Sequence, residues 1–579
     1  MNIKHLFISL FLLPFFLYGN VEYTVSFRGV KDDELLESLK GSSSLVLLKD
    51  HPPKTLSALK QRAESDIGNI VNALHNHALY NAKISFKLHT ETPPVHVEYL
   101  VTQGPVYPLT FIQISPAHFS LSAKQLGVEL GTAATPKKIA EAENVLIEWM
   151  NANGYPYAHL VDKEVIADQK SKSISVHFLL KSGPQATFGA TTVNGNCKVL
   201  ESYIRKKIQW VEGEIFDPKK ITSTINKINA SNLFSLVQIT YPEEPPKDGV
   251  LPMHIELDEA KHSSIALGLS YSTQRGPGFT VEWENRNVRR IGNRLFFDAN
   301  ILQLTQRAML EYVIPEFRAE NQDLIWTVEA EHDDTEGFNE TWVSLSGRIE
   351  RKLNRYTNYS YGLQYKHLVV TDADTDGVYG LLKAPIHWRW SNANDCLDPT
   401  KGMTFYNKLI PTLRMSSTPF LYTIGHFSLS SYLPMNKDQF VLAIRAQFGT
   451  IFGTKRHEIP ASERLYAGSE TTLRGYKYWT VSPLDTNNDP IGGRSLMVYS
   501  LEGRWRMNEN WGAVLFYDAG NVFESPLPRF DKKMLQSIGV GARYFTPVGP
   551  IRMDIAFPLN PRKGIDNSFQ FYFSIGQSF

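Results

Sequence analysis

From Lys261 to Phe579, apolar and polar residues alternate with a period of two. One face of successive segments reads Ile265, Leu267, Leu269, Tyr271; then Leu295, Phe297, Ala299, Ile301; then Ala308, Leu310, Tyr312, Ile314. The opposite face carries Glu282 and Glu284, Asp298 and Asn300, Glu329 and Glu331. Neighbouring side chains of a strand point to opposite faces, so this is the signature of strands with one wet side. About sixteen such segments are predicted, starting near residues 263, 277, 291, 306, 322, 339, 356, 378, 402, 421, 438, 494, 511, 536, 550 and 569. Roughly twenty residues per segment leaves room for a tilted span of ~9–11 residues and a turn, the dimensions of a transmembrane barrel strand. A soluble β-propeller is the competing architecture. Against it, the inner face is too polar for a packed interior, and aromatics sit near segment ends as in a membrane girdle. The prediction for 261–579 is an all-β, 16-stranded antiparallel transmembrane β-barrel, whose even strand number puts both ends on one side.

Residues before 261 have a different pattern: a helix, a Gly/Asn-containing stop, an aromatic, then a strand. It occurs at Ala73–Tyr80, at Trp149–Tyr155 and at Ile228–Phe234. The aromatics Tyr80, Tyr155 and Phe234 recur every 75 to 79 residues, which marks an internal repeat. Thr135-Pro136 and Asp217-Pro218 each set a capping residue before a proline suited to the first helical position. Strands at Val95–Val101, Ile174–Leu180 and Met253–Leu257 close the units, two of them running into Gly104-Pro105 and Gly183-Pro184 turns. Each unit is expected to be strand, two helices and two strands: three α+β domains over 20–105, 106–184 and 185–260.

Leu6 to Tyr18 is an apolar run behind Lys4 and His5, with small Gly19 as a cleavage point, so 1–19 is expected to be a secretory signal peptide. A net charge of +1 gives no reason to expect nucleic-acid binding. The two cysteines, Cys197 and Cys396, fall in different predicted domains and are not expected to pair. No nucleophile elbow, phosphate loop, dinucleotide fingerprint or paired-histidine zinc motif occurs, so the chain is read as no enzyme, with no cofactor and no metal. Asp372-Ala373-Asp374-Thr375-Asp376-Gly377 starts like a calcium loop, but position twelve is Lys383 rather than a bidentate glutamate. Asp485–Pro490 is a weaker version, and both read as polar loops.

The longest stretch without alternation runs from about 453 to 493 and contains Arg474-Gly475-Tyr476. A loop this long needs a function. If it folds into a wet lumen it needs an anchor, and arginine offers a planar fork to carboxylates while glycine allows close approach. Asp518 is the first candidate barrel-wall partner and Glu502 the second. The chain also ends in a stripe of Phe569, Phe571, Phe573, Ile575 and Phe579, expected to mark the closing strand and to be recognised before closure.

With Arg474-Gly475-Tyr476 stand Asp398-Pro399-Thr400-Lys401-Gly402, Phe516–Asn521, Gly539–Arg543 and Thr546–Asp554. In this order the set resembles the BamA/TamA superfamily of outer-membrane assembly and secretion barrels. The resemblance implies that the three front units are POTRA domains in the periplasm, that Asp518 contacts Arg474, and that the barrel serves outer-membrane or secreted client polypeptides. Three POTRA domains are the layout of the translocation-and-assembly-module type, TamA, which implies an inner-membrane-anchored partner of TamB type. A two-partner-secretion pore and the main BamA-type assembly barrel are the alternatives. The implied mechanism is client capture on POTRA edges by β-augmentation, a gate at the seam between the strand near Ile265 and the last strand, and local strain on outer-membrane lipid by a short final strand.

Overall fold

A computed structural model describes residues 21–119, 121–272, 276–335, 337–371, 375–415, 419–435, 439–529, 531–547, 549–575, 577 and 579. The predicted signal segment and Asp372-Ala373-Asp374 lie outside them. The chain divides into two compact units, one running to Asn194 with 208–226 and 238–256, the other holding 195–207, 227–237 and 257–579.

Three small sheets precede the barrel. The first comprises β1 (Tyr23–Arg28), β2 (Lys83–His89) and β3 (Val95–Thr102) in the order β1-β3-β2, with helices α1 (Asp33–Ser42), α2 (Ser44–Leu47) and α3 (Leu56–Asn76) between β1 and β2. The second comprises β4 (Leu109–Ser115), β5 (His159–Asp168) and β6 (Ser173–Lys181) in the order β4-β6-β5, with α4 (Pro136–Ala152). The third comprises β7 (Thr187–Asn194), β8 (Phe234–Thr240) and β9 (Val250–Glu259) in the order β7-β9-β8, with α5 (Glu201–Arg205) and α6 (Pro218–Asn229). In each the first strand pairs in parallel with the last, which requires the helical crossover.

The second unit departs from the expected two helices. Between β4 and α4 the described residues form only a 3₁₀ turn, Ala117–Phe119, and further turns. Gly127 and Gly131 with positive φ break any longer helix there. Both proline-led helix starts form: Thr135 accepts from Lys138 N, and Asp217 Oδ1 accepts from Lys219 N at 2.9 Å. The first unit has a buried polar centre. Asp66 on α3 accepts from Ser43 Oγ (2.5 Å), Ser44 N (2.7 Å), Ser44 Oγ (2.8 Å) and Tyr99 Oη (3.2 Å), joining α2 and β3 under the apolar core.

The barrel closes through β10 (Ser263–Ser272), β11 (Gly276–Val288), β12 (Asn293–Leu302), β13 (Thr305–Ile314), β14 (Gln322–Asp334), β15 (Asn339–Lys352), β16 (Thr357–Thr371), β17 (Gly377–Lys383), β18 (Ile386–Ser391), β19 (Gly402–Met415), β20 (Phe420–Met435), β21 (Phe440–Phe452), β22 (Ser495–Arg506), β23 (Trp511–Phe523), β24 (Leu535–Thr546), β25 (Gly549–Pro558) and β26 (Gln570–Ile575). β17 and β18 are halves of one wall position. Both lie between β16 and β19, in unchanged register, interrupted at Ala384-Pro385 where proline has no N–H to give. The closed barrel therefore has sixteen strand positions, and their starts follow the predicted segments closely. The apolar face points outward: Ile265, Leu267 and Leu269 are 71%, 69% and 83% exposed. The charged face points into the lumen, where Glu502, Asp518 and Asp554 are fully buried. No described helix is long and apolar enough to cross a membrane; the strands do this instead.

Candidate functional site

Between β21 and β22, residues 453–493 are irregular but ordered. Leu465 and Gly493 exchange both backbone hydrogen bonds at 2.9 Å, and Ala467 and Val481 do so at 3.1 Å, which gives the loop a stem of its own. Ile459, Leu465, Leu473, Tyr476 and Val481 pack against Ile410, Tyr422, Ile424, Val498 and Val522 of the wall. The loop thus shares an apolar core with one side of the barrel.

Arg474 is fully buried at the tip of that packing. Nε donates to Asp518 Oδ2 at 2.7 Å and Nη2 to Asp518 Oδ1 at 2.9 Å, a two-pronged grip; its backbone N–H also reaches Oδ2 at 3.2 Å. Nη1 donates to Glu502 Oε1 at 2.7 Å. The guanidinium lies 3.5 Å from the Phe516 ring centroid. Glu502 sits opposite Phe516 on the β22–β23 ladder and Asp518 two residues on, so the two carboxylates form a diagonal pair on the luminal face. Such a pair repels itself until a cation bridges it, and a buried charge needs such a partner. The structure therefore brings together all three residues that the sequence proposed for this contact.

Gly475 has φ +91°, and a Cβ there would stand 3.1 Å from Ser537 Cβ. Its N–H donates to Tyr572 Oη at 2.9 Å. The Tyr476 hydroxyl lies 2.7 Å from both Gln536 O and Asn560 Oδ1 and accepts from Gln536 N at 3.0 Å. Sequence reasoning missed Tyr572, Asn560 and Asp554. Asp554 lies 3.7 Å from Arg474 and takes Arg543 at 2.5 Å. Gly541 makes this possible, since a Cβ there would stand 2.0 Å from Asp554 Oδ1. Arg504 adds a further cation, donating from Nε to Glu502 Oε2 at 2.9 Å and from Nη1 to Pro399 O at 3.3 Å. The five segments that carry the resemblance thus meet around one luminal charge network.

The aromatic stripe at the end of the chain is not one surface. Phe571 and Phe573 lie on β26, Phe569 precedes it and is half exposed, and Phe579 is elsewhere. Phe579 O accepts from Arg504 Nη2 at 2.8 Å, and its ring lies 4.4 Å from the Arg445 guanidinium. Gln577 bridges Arg543 and Asp398, at 2.8 and 3.0 Å. The expectation of a five-point strand stripe is corrected to this extent, because buried arginines offer the last ring a better face than the strand edge does. Among the described residues β26 pairs with β25 over six positions and with β10 over two, Tyr271 with Phe573 and Ser272 with Tyr572. Among the described residues, Ser263–Ser270 of β10 have no ladder partner on that side.

The carboxylates of Glu331, Asp333 and Glu340 lie within 4.8 Å of one another, a grouping able to hold a cation. Lys366 Nζ, 3.9 Å from Glu340, already places positive charge beside them, and no metal role is assigned. Cys197 and Cys396 are free and exposed.

A profile for the Omp85 superfamily domain matches residues 287–579, just over half of the chain. One for POTRA, the surface antigen variable number repeat, matches 186–260. The outer membrane protein assembly factor BamA of Nitratidesulfovibrio vulgaris is 22% identical over 542 residues, 89% of this chain and 68% of that protein. The BamA of Neisseria meningitidis serogroup B is 21% identical over 491 residues, 74% of this chain and 61% of that protein. A crystal structure of Haemophilus ducreyi BamA lacking POTRA domains 1–3 superposes with a TM-score of 0.70 at 17% identity, covering 81% of this chain and 99% of that one. The chain is shorter than these curated relatives and spans about two thirds of their length.

Proposed function

We propose, for a chain that belongs to the Omp85 superfamily, that it folds and inserts client polypeptides into the outer membrane in which its own barrel lies. The observation that carries this is the seam. Among the described residues β10 and β26 are joined by two residue pairs, the shortest ladder of the wall, beside a luminal loop clamped through Arg474. An unpaired edge is a template for another strand, and proteins ordinarily suppress it. Here a client strand would add to the free edge of β10, and burial of client apolar surface would drive insertion without ATP.

Three α/β units before the barrel, the last matched by the POTRA profile, support reading 20–105, 106–184 and 185–260 as three periplasmic POTRA domains. That number supports a TamA-like role in assembling barrel or autotransporter clients, with a TamB-like partner anchored in the inner membrane. The BamA relatives favour a second reading, the main assembly barrel. Depletion of the protein followed by quantitative outer-membrane proteomics separates them. Selective loss of a few barrels or autotransporters is the expected result, and loss of nearly all barrels would give the second reading. Loss of a single secreted partner would instead indicate a dedicated secretion pore and overturn the proposal.

A further inference from the structure

We infer that the luminal loop has a second ionic anchor of opposite sign to the first: Glu463, seated in a socket formed by Lys366 and Lys383. The inference deepens the proposed function, because it concerns how the same loop is held.

The socket begins with the wall. Lys366 on β16 stands opposite Leu381 of β17, and Lys383 is two residues further along β17. The two lysines are thus diagonal neighbours on the luminal face, and both are buried. Two buried ammonium groups side by side repel each other and lack water, so the arrangement demands an anion between them. Glu463 supplies it. Lys383 Nζ donates to its Oε1 and Oε2 at 2.7 and 2.5 Å, and Lys366 Nζ to its Oε1 at 3.1 Å. Lys366 is held from behind by the Trp342 ring, 4.4 Å from its centroid.

Local structure aims both partners. Glu463 ends a 3₁₀ turn, Ala461–Glu463, that starts after Pro460, and Ala461 packs with Phe338, Trp342, Leu368 and Leu381. Lys383 is the last residue of β17, just before the ladder breaks at Ala384-Pro385. It is also the residue that spoils the calcium-like pattern. Where that pattern needs a carboxylate, the barrel places a cation for the loop.

The two anchors share one design. At β22–β23 two diagonal carboxylates await an arginine from the loop; at β16–β17 two diagonal lysines await a glutamate. The charges are reversed, so each loop residue is repelled by the other's socket. A loop held at one point could pivot, whereas opposite anchors on different parts of the wall fix its position and its register. Glu463 is therefore a positioning residue for the Arg474 segment.

The test uses the full-length protein in planar bilayers and liposomes, reading ion conductance and protease cutting within 453–493, with heat-shifted gel mobility as the check on barrel folding. Glu463→Gln is expected to give a folded barrel with several-fold more open-lumen conductance and faster loop cutting. The reversal Glu463→Lys, Lys383→Glu, which keeps Lys366 beside Glu340, should return both to the wild-type level. A folded Glu463→Gln protein with a loop as protected as wild type would overturn the inference, as would a reversal variant that stays open. If Glu463→Gln does not insert, the reversal alone decides: folded and closed supports the pairing, unfolded or open overturns it. Neither readout involves clients, so a different proteomic outcome leaves this test intact.

Discussion

Arg474→Ala leaves Glu502 and Asp518 buried side by side without the cation between them. Breaking a buried pair from one side costs roughly 3–5 kcal/mol. Here that cost falls on docking of the loop, because Glu502 keeps Arg504 and both carboxylates keep their strand ladder. The expected outcome is a barrel that still inserts but assembles clients poorly, measured by client recovery against barrel abundance. Arg474→Lys recovers part of the loss at most, since an ammonium cannot grip Asp518 with two parallel donors. In the periplasmic part, Asp66→Ala removes the acceptor shared by six donors, and a loss of about 2–4 kcal/mol of first-unit stability is expected in urea unfolding of that region. Arg474, Asp518 and Glu502 were legible in the sequence because a motif and a length anomaly pointed at them. Tyr572 was not: it sits among alternating aromatics, and only the β25–β26 ladder places it opposite Asp554.

At the scale of elements, the strand starts were legible because a two-sided environment writes itself into the sequence every second residue. Where the environment is not two-sided, less was legible. The segment expected near 378 is two strands around Pro385, and its luminal face is used to seat the loop. The last aromatic stripe looked continuous, yet Phe579 leaves it for Arg445 and Arg504. The missing helix of the second unit reflects glycines at 127 and 131 that no alternation reveals. A pH effect belongs to this scale too. Glu259 at the end of β9 accepts backbone N–H groups from Cys197, Lys198 and Val199 at 2.7–2.8 Å. Burial pushes its carboxyl up, but these three donors outweigh that and hold it below the ordinary range. A depressed carboxyl stabilises the fold above its unfolded pKa, and that contribution fades as pH falls through the lowered value. Glu259→Gln should flatten the acid limb of unfolding of this segment, followed by hydrogen exchange of the 195–200 amides between neutral and acid pH.

At the scale of the whole molecule, architecture followed from two periodicities: a repeat of about 75 residues in front, and a period of two behind. The luminal network was legible only in part, since its members come from segments far apart in the chain and meet only when the barrel closes. Closure is the shortest ladder of the wall among the described residues and the centre of the proposed mechanism. Tyr271 and Phe573 face each other across the seam. Replacing both with cysteine, after changing Cys197 and Cys396 to serine, gives a lock that an oxidant shuts and a reductant opens. The decisive measurement is client insertion into liposomes by this variant in the two states. The account predicts that insertion stops when the seam is oxidised and resumes on reduction. Insertion at the same rate with the disulfide formed would contradict it.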